Sequence, residues 1–363
     1  MNKKILLSII LSLAILSANS ANAIGIHISG RLTPEIKKNI NLMLSVLTEQ
    51  ANKKTYAETS NFTQLIKKKI IEATSPFGYF SPTIKIIKQN NTFNFNIKLN
   101  QPVIIKSVNI RIQGPGTDDP HFKRYLREIP LHSGMILSIK KYQQVKNKLY
   151  SIAANQGYFK AKMTTSKINI NLAKKTASIH IILNSGKRYQ YGDTTFSKTE
   201  LNNTFLQQFI SYKKGDLYQN NKLEKTQLAL TNSGYFQQAI ITPEPSKIHH
   251  NRVPIHIYLV PVTKKSYTFG FGYGTDTGLR GLANISNNYL NGKGHRFKVI
   301  GQIAQKSQNI TATYTIPGYK LNHHYTLTGA LSQFSINQNQ SRAMKISLGS
   351  THVFSHWENI ISL

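Results

Sequence analysis

The sequence contains no cysteine among its 363 residues. This absence excludes disulfide bonds, thiolate metal ligands, cysteine nucleophiles and a lipidated amino-terminal cysteine. Acidic residues are scarce, with 14 Asp and Glu against 46 Lys and Arg, so the formal net charge is +32. Only one long apolar run exists, at the amino terminus, and a bundle of membrane-spanning helices is therefore excluded. With 18 Tyr and 16 Phe, the chain is too rich in aromatic side chains to be disordered throughout.

The positive charge has two open explanations. Residues 266–363 hold eight Lys and Arg and two Asp and Glu, so most of the excess lies upstream, scattered among Asn and Ile. An AT-rich genome favours Lys, Asn and Ile, and attraction to anionic lipid headgroups is the functional alternative. Because the basic residues form no stripe, the charge gives little support to a nucleic-acid partner, and none is expected.

An export signal opens the chain. Lys3 and Lys4 precede the apolar run Ile5–Leu16, and the small-x-small pattern of a cleavage site follows at Ala21 and Ala23. The run is short for a transmembrane helix. We therefore predict a signal peptide over residues 1–23 and an extracytoplasmic mature chain, with an uncleaved anchor as the alternative.

A Gly-Tyr-Phe tripeptide recurs three times at nearly equal spacing. The nine residues are Gly78, Tyr79, Phe80, Gly157, Tyr158, Phe159, Gly234, Tyr235 and Phe236. A helical pattern precedes the second copy, with Tyr142, Val145, Leu149 and Ile152 on one face. Ser138 is the predicted N-cap of that helix, and Gly157 suits the left-handed residue that ends it.

Strand patterns surround each tripeptide. One strand is predicted to open each copy and two to follow the glycine: Ile24–Ser29, Thr83–Lys88 and Thr92–Leu99; Val103–Gln113, Lys160–Asn169 and Ala177–Leu183; Arg188–Phe196, Gln237–Pro243 and Val253–Val260. Asn90-Asn91 is the predicted turn in the first copy. Each repeat thus predicts the order strand, helices, strand, strand. The alternative is three unrelated α+β domains that share a turn motif.

From about Tyr267 the hydrophobic period becomes a sustained two. Large apolar residues alternate with small or polar ones along several segments, of which the clearest are 267–274, 309–316 and 344–348. This pattern suits strands that lie between lipid and a wet lumen, although a soluble β-sandwich would also alternate. We predict six or seven antiparallel strands of an outer-membrane barrel over residues 266–363, the last at Trp357–Leu363.

No catalytic constellation stands out. The sequence lacks a G-x-S-x-G elbow, a P-loop and H-E-x-x-H. The side chains of the adjacent pairs His249-His250 and His323-His324 would diverge on a strand, and these residues are interpreted as solvated loop histidines. Asp118-Asp119 is interpreted as part of a turn. We therefore expect no enzyme, no metal site and no small-molecule cofactor.

The repeats resemble POTRA domains, and the chain resembles the Omp85 superfamily. The strongest motif matches are Tyr267–Arg280, Asn291–His295 and Tyr314–Pro317, which are similar to the start of the barrel in its TamA branch. The resemblance implies three POTRA domains of the type strand-helix-helix-strand-strand, at 24–100, 101–186 and 187–263. The motif residues Asp276, Gly278, Arg280, Asn291, Gly294, His295 and Pro317 are interpreted as mainly structural turn residues.

What the resemblance implies is an outer-membrane assembly factor with a periplasmic POTRA arm. Its gate would be an edge strand, made of Tyr267, Phe269, Gly270, Phe271, Gly272, Tyr273, Gly274 and Thr275, that templates client strands. The three glycines would permit bending near the seam, or merely fit a tight interior. Implied partners are a TamB-like protein anchored in the inner membrane, unfolded outer-membrane and autotransporter clients, and outer-membrane lipid.

The barrel segment is short for that family. A barrel of about sixteen strands, at roughly ten residues a strand plus loops, needs some 300 residues. The sequence therefore suggests a fragment, a frameshifted product, or one part of a split or oligomeric barrel. The competing functional hypotheses are a soluble periplasmic POTRA scaffold that binds peptides without inserting them and a non-functional truncated product without insertase activity.

Overall fold

The structure is a computed structural model that describes residues 25–53, 60–89, 92–275, 278–319, 323–336, 339–354 and 357–363. The predicted cleavage residues Ala21 and Ala23, the Asn90-Asn91 turn and Asp276 lie outside these ranges. The chain forms two compact units, one reaching Ile152 and including Lys160–Gly186, the other made of Ala153–Phe159 and Lys187–Leu363. No helix among the described residues is both long and apolar enough to cross a membrane.

The first unit begins with a three-stranded module. Its elements are β1 (Gly25–Ser29), α1 (Pro34–Lys53), α2 (Ser60–Thr74), β2 (Thr83–Gln89) and β3 (Thr92–Lys98). The central strand β3 is parallel to β1 and antiparallel to β2. Apolar residues at helical spacing, among them Ile36 and Ile40, are buried against Phe93, Phe95 and Ile97 of β3.

A second module of the same order follows. It comprises β4 (Ile104–Gln113), α3 (Pro120–Arg127), α4 (Ile139–Asn155), β5 (Lys162–Asn171) and β6 (Thr176–Asn184), with sheet order β4-β6-β5. One expectation is corrected here: Asp119 caps helix α3, because its Oδ1 accepts a hydrogen bond from His121 N at 2.9 Å. The predicted order includes a first helix here, but it was not placed at these residues because Pro120 at its first position resembles a turn residue as much as a helix start.

The second unit opens with a third such module. Its elements are β7 (Gln190–Phe196), α5 (Asn203–Gln207), α6 (Asn220–Asn232), β8 (Phe236–Pro243) and β9 (Arg252–Pro261), with sheet order β7-β9-β8. In all three modules the strand latest in sequence lies centrally and pairs with the first strand in parallel. The predicted α+β repeat is confirmed.

A seven-stranded antiparallel sheet completes the second unit. Its strands are β10 (Lys265–Gly274), β11 (Gly278–Asn287), β12 (Arg296–Ala304), β13 (Ser307–Pro317), β14 (His323–Ile336), β15 (Asn339–Phe354) and β16 (Trp357–Ser362). Each strand pairs with the next one in sequence. The predicted antiparallel strands are therefore confirmed.

The register assigns each residue of this sheet to one of two faces. Phe269 pairs with Ala283, which pairs with Gly301, and that row continues through Ile310 and Leu331 to Met344. Most large side chains on this face are exposed, as is expected of a surface that meets lipid. Thr, Asn, Ser and Gly dominate the opposite face.

Candidate functional site

Strand β10 is an open edge of the seven-stranded sheet. Among the described residues it pairs along its whole length with β11 and with no strand on its other side. An edge strand presents a row of unpaired backbone N–H and C=O groups that can accept another strand. The predicted gate strand, 267–275, falls within this edge except for Thr275, which lies in the following turn.

The two faces of β10 differ sharply in side-chain size. Tyr267, Phe269, Phe271 and Tyr273 are all exposed on one face, with Phe271 93% exposed. Gly270, Gly272 and Gly274 occupy the other face. On that face the side chains of β11 lie close to the glycines. A Cβ on Gly272 would lie 3.3 Å from Arg280 Nε, and one on Gly270 would lie 3.8 Å from Leu282 Cβ. The glycines thus leave space that side chains of β11 occupy.

The motif residues interpreted as turns have varied positions. Gly278 begins β11 with φ +75°, whereas Arg280 lies within that strand and not in a turn. Pro317 ends β13, and the next residue donates its N–H to the carbonyl of His323 at 2.7 Å. Arg280 and Pro317 are thus strand residues that lie next to turns, not turn residues themselves.

The loop between β11 and β12, residues 288–295, is ordered by its own polar groups. Asn291 Oδ1 accepts hydrogen bonds from the backbone N–H groups of Lys293, at 3.0 Å, and His295, at 3.3 Å. Gly294 has φ +77°. His295 Nδ1 lies 2.7 Å from the hydroxyl of Tyr314 on β13. We call residues 288–295 the hairpin loop.

The hairpin loop is packed into the third module. Tyr289 is buried in that module's core, where its hydroxyl donates to the carbonyl of Val262. Asn288 N donates to Lys264 O at 2.8 Å, and Asn202 N donates to Gly292 O at 2.9 Å. Sequence reasoning missed this contact, because a single tyrosine between two strands carries no periodic signal.

The three repeat glycines share a left-handed backbone and close surroundings. Their φ angles are +91° at Gly78, +80° at Gly157 and +73° at Gly234. The carbonyl of Gly78 accepts from Val103 N at 2.8 Å, and that of Gly157 accepts from Tyr189 N at 2.9 Å. Gly78 and Gly157 therefore each end a helical segment and also bond to the chain that opens the next module.

The motif aromatics differ among the copies. Tyr158, Tyr235 and Phe236 are buried, whereas Tyr79, Phe80 and Phe159 are partly exposed. Phe236 begins strand β8, but in the first two copies the strand starts several residues after the tripeptide. A motif aromatic therefore enters the sheet in the third copy only.

A tyrosine cluster fills the core of the third module. The rings of Tyr191 and Tyr212 stack with centroids 3.9 Å apart, and Tyr218 lies 5.1 Å from Tyr191. Burial raises the pKa of Tyr191 and of Tyr212 to about 12. These hydroxyls remain protonated at neutral pH, so they stabilise the module by packing and hydrogen bonding, among others from Tyr191 to Gln219 O at 2.6 Å.

The histidine pair at 249–250 lies in the connection before β9, and His250 has φ +47°. In this loop the two Nδ1 atoms are 2.6 Å apart, whereas on a strand the side chains would diverge. Within the described ranges, His, Asp and Glu side chains nowhere gather in groups of three or more that could hold a metal ion.

Comparison with known proteins adds to this picture. A family model described as POTRA domain TamA domain 1 matches residues 25–100, and one described as surface antigen variable number repeat, a POTRA model, matches residues 104–186. The outer membrane protein assembly factor BamA of Buchnera aphidicola subsp. Acyrthosiphon pisum (strain APS) is 24% identical over 198 residues, which cover 54% of this chain and 32% of BamA.

A solved structure also matches the fold of this chain. The crystal structure of BamA from Haemophilus ducreyi lacking POTRA domains 1–3 matches with a TM-score of 0.56 at 16% identity, covering 68% of this chain and 47% of that one. The chain belongs to the Omp85 superfamily. Omp85 proteins lie in the outer membrane and hold their POTRA domains in the periplasm. This chain has the same location. It spans about a third of the length of the BamA relative that it matches.

Proposed function

We propose that this Omp85 chain is an outer-membrane protein assembly factor of the TamA type. It would help to insert or translocate β-barrel and autotransporter clients by templating their strands at β10. The observation that carries the proposal is the open edge of β10, whose exposed aromatic face is suited to lipid and whose backbone is paired on one side only among the described residues.

The physical reason is the cost of bringing an unpaired strand into lipid. In the hydrocarbon region each unsatisfied N–H or C=O costs several kcal/mol. A strand that adds to an existing edge satisfies these groups as it enters. The glycines on the inner face of β10 would let the edge strand bend away from the sheet during this exchange.

The POTRA modules would act as a docking arm in the periplasm. Their outer strands, such as β2 and β5, pair on one side only among the described residues, so each could accept an extended peptide. A TamB-like inner-membrane protein is the proposed partner. The match of residues 25–100 to the first POTRA domain of TamA supports this branch of the superfamily.

The competing hypothesis of a soluble POTRA scaffold conflicts with the exposed sheet face. Large apolar residues cover several adjacent strands of that face, including Phe269, Ile303, Leu331, Met344 and Ile346. A soluble protein seldom leaves so continuous an apolar surface in water. The same surface is expected where a sheet contacts lipid.

A single-cysteine crosslink tests the gate, because the native chain has no cysteine. The variant Phe269→Cys places a thiol on the edge strand, and Ile346→Cys is the matched control on the same face of an interior strand. The two positions are 67% and 66% exposed. Both proteins are reconstituted in lipid vesicles with an unfolded barrel client that carries one cysteine in its terminal strand, and a mild oxidant is added to accept the electrons of the two thiols.

The expected result is a mixed disulfide with the client for Phe269→Cys and only background for Ile346→Cys. Equal yields at both positions would mean that the client does not add at this edge. A protein that remains outside the vesicle membrane in flotation would support the soluble scaffold instead.

A further inference from the structure

An arginine from the sheet stacks on the third copy of the Gly-Tyr-Phe motif. The guanidinium carbon of Arg296, the first residue of β12, lies 3.9 Å from the ring centroid of Tyr235. Its Nη2 donates a hydrogen bond to the carbonyl of Ser233 at 2.5 Å. A guanidinium on an aromatic face combines electrostatic attraction with flat stacking. The sheet is thereby attached to the turn that precedes β8.

The third module also donates a hydrogen bond to the hairpin loop. The hydroxyl of Tyr235 donates to the carbonyl of Gly294 in the hairpin loop at 2.6 Å. A Cβ on Gly294 would lie 2.6 Å from the ring of Phe205, so the loop backbone approaches the third module more closely than another residue would allow. We call Arg296, Tyr235 and Gly294 the latch.

The latch is not arranged for maximal stability. Arg296 Nε is buried, and no described residue accepts its hydrogen bond. Among the described side chains Arg296 also forms no ion pair with a carboxylate. Burying a polar atom without a partner is costly. What the planar guanidinium provides in return is a fixed orientation, which a lysine could not reproduce.

The latch lies next to the strand that supports the gate. The hairpin loop joins β12 to β11, and β11 pairs with β10 over ten consecutive residues. A displacement of the loop must therefore move β11 and, through the paired backbone, β10. The third POTRA module and the edge strand are connected by this short mechanical path.

We propose that Arg296 is a positioning residue that holds the third POTRA module and the hairpin loop as one rigid body and thereby fixes the placement of strand β10. The functional part of this inference rests on the proposed strand templating. The mechanical part does not, since it concerns only the relative positions of two parts of the chain.

The mechanical part is tested by spin labelling of the full chain in lipid vesicles. Labels are attached to Leu228→Cys on helix α6 and Lys306→Cys in the turn after β12, both at exposed positions. The distance distribution should be narrow in the otherwise native chain and should broaden with Arg296→Ala. The matched control is Lys298→Gln, the next residue on the same face of β12, which should leave the distribution narrow. An unchanged distribution with Arg296→Ala would overturn the proposal.

The functional part is tested by client insertion and by rescue. Arg296→Ala should lower the insertion rate about threefold to tenfold, the range expected when a coupling contact is lost. A disulfide between Asn202→Cys and Gly292→Cys, whose backbones are already hydrogen-bonded at 2.9 Å, should restore most of the rate in the Arg296→Ala background. Rescue must disappear on reduction.

These outcomes separate the two proposals. If the native chain inserts no client, the proposed function fails, while the spin-label comparison still decides whether Arg296 holds the two parts together. If the native chain inserts clients and Arg296→Ala inserts them equally fast, the latch has no positioning role. A slow variant that the disulfide does not rescue would also contradict it.

Discussion

Two regions of this molecule use the same strand pattern for opposite surroundings. In β3 of the first module, Phe93, Phe95 and Ile97 alternate with polar residues and are almost completely buried. In β10, Phe269 and Phe271 alternate with glycines and are 67% and 93% exposed. The residue types and the period of two are alike, yet one set of rings lies inside the protein and the other outside.

The difference arises from what covers each sheet. In the first module α1 and α2 pack their apolar sides on β3, so its aromatic face becomes a protein core. No helix of the described residues covers the exposed face of the seven-stranded sheet, and lipid is the solvent that can cover it. Alternation therefore identifies a strand and its two faces, but the neighbouring elements decide which face is buried.

The largest effect expected from this comparison comes from a pair of identical substitutions. Phe95→Ala removes a fully buried ring and should lower the free energy of unfolding by about 3–5 kcal/mol. Phe271→Ala removes an exposed ring and should change it by less than about 0.5 kcal/mol. Both changes are measured by urea unfolding of the full chain in detergent micelles, monitored by far-UV circular dichroism. Similar losses for the two variants would contradict the assignment of the two surroundings.

A charge placed on the sheet should have a smaller but more specific effect. Leu331 lies in the central row of the exposed face, and the adjacent Ser332 lies on the opposite face. In a bilayer, Leu331→Lys should cost about 2–4 kcal/mol, because lysine at that depth is poorly solvated. Ser332→Lys, with its side chain toward a wet lumen, should cost much less. The difference is measured by unfolding from lipid vesicles, and a larger cost for Ser332→Lys would reverse the two faces.

Much of the fold could be predicted because it depends on local patterns. The Gly-Tyr-Phe spacing predicts the three modules, and alternation predicts strands such as β10 and β13 to within a few residues. The helix over 139–155 follows from Tyr142, Val145, Leu149 and Ile152, all of which are buried.

The contacts of the candidate site could not be predicted in the same way. Arg296 and Tyr235 are far apart in sequence, and the patterns that place each of them on its own strand or turn do not pair them, so only the folded chain brings them together. The burial of Tyr289 in the core of the third module was not predicted either, because this tyrosine stands alone between two strands. The Nδ1 contact of His249 and His250 depends on one left-handed residue, which a sequence of two histidines does not specify.

The smallest effect concerns the repeat glycine and has a built-in control. Gly78 and Gly134 belong to the same unit and have nearly equal φ angles, +91° and +88°. Alanine at either position should cost about 1–2 kcal/mol for the left-handed backbone. At Gly78 the new Cβ would also lie 2.7 Å from the carbonyl oxygen of Leu137, whereas at Gly134 nothing lies within 4 Å. Gly78→Ala should therefore cost about 1–3 kcal/mol more than Gly134→Ala. Thermal unfolding of the two variants gives this difference directly, and equal losses would show that Gly78 serves only as a helix end and not as a close contact between consecutive modules.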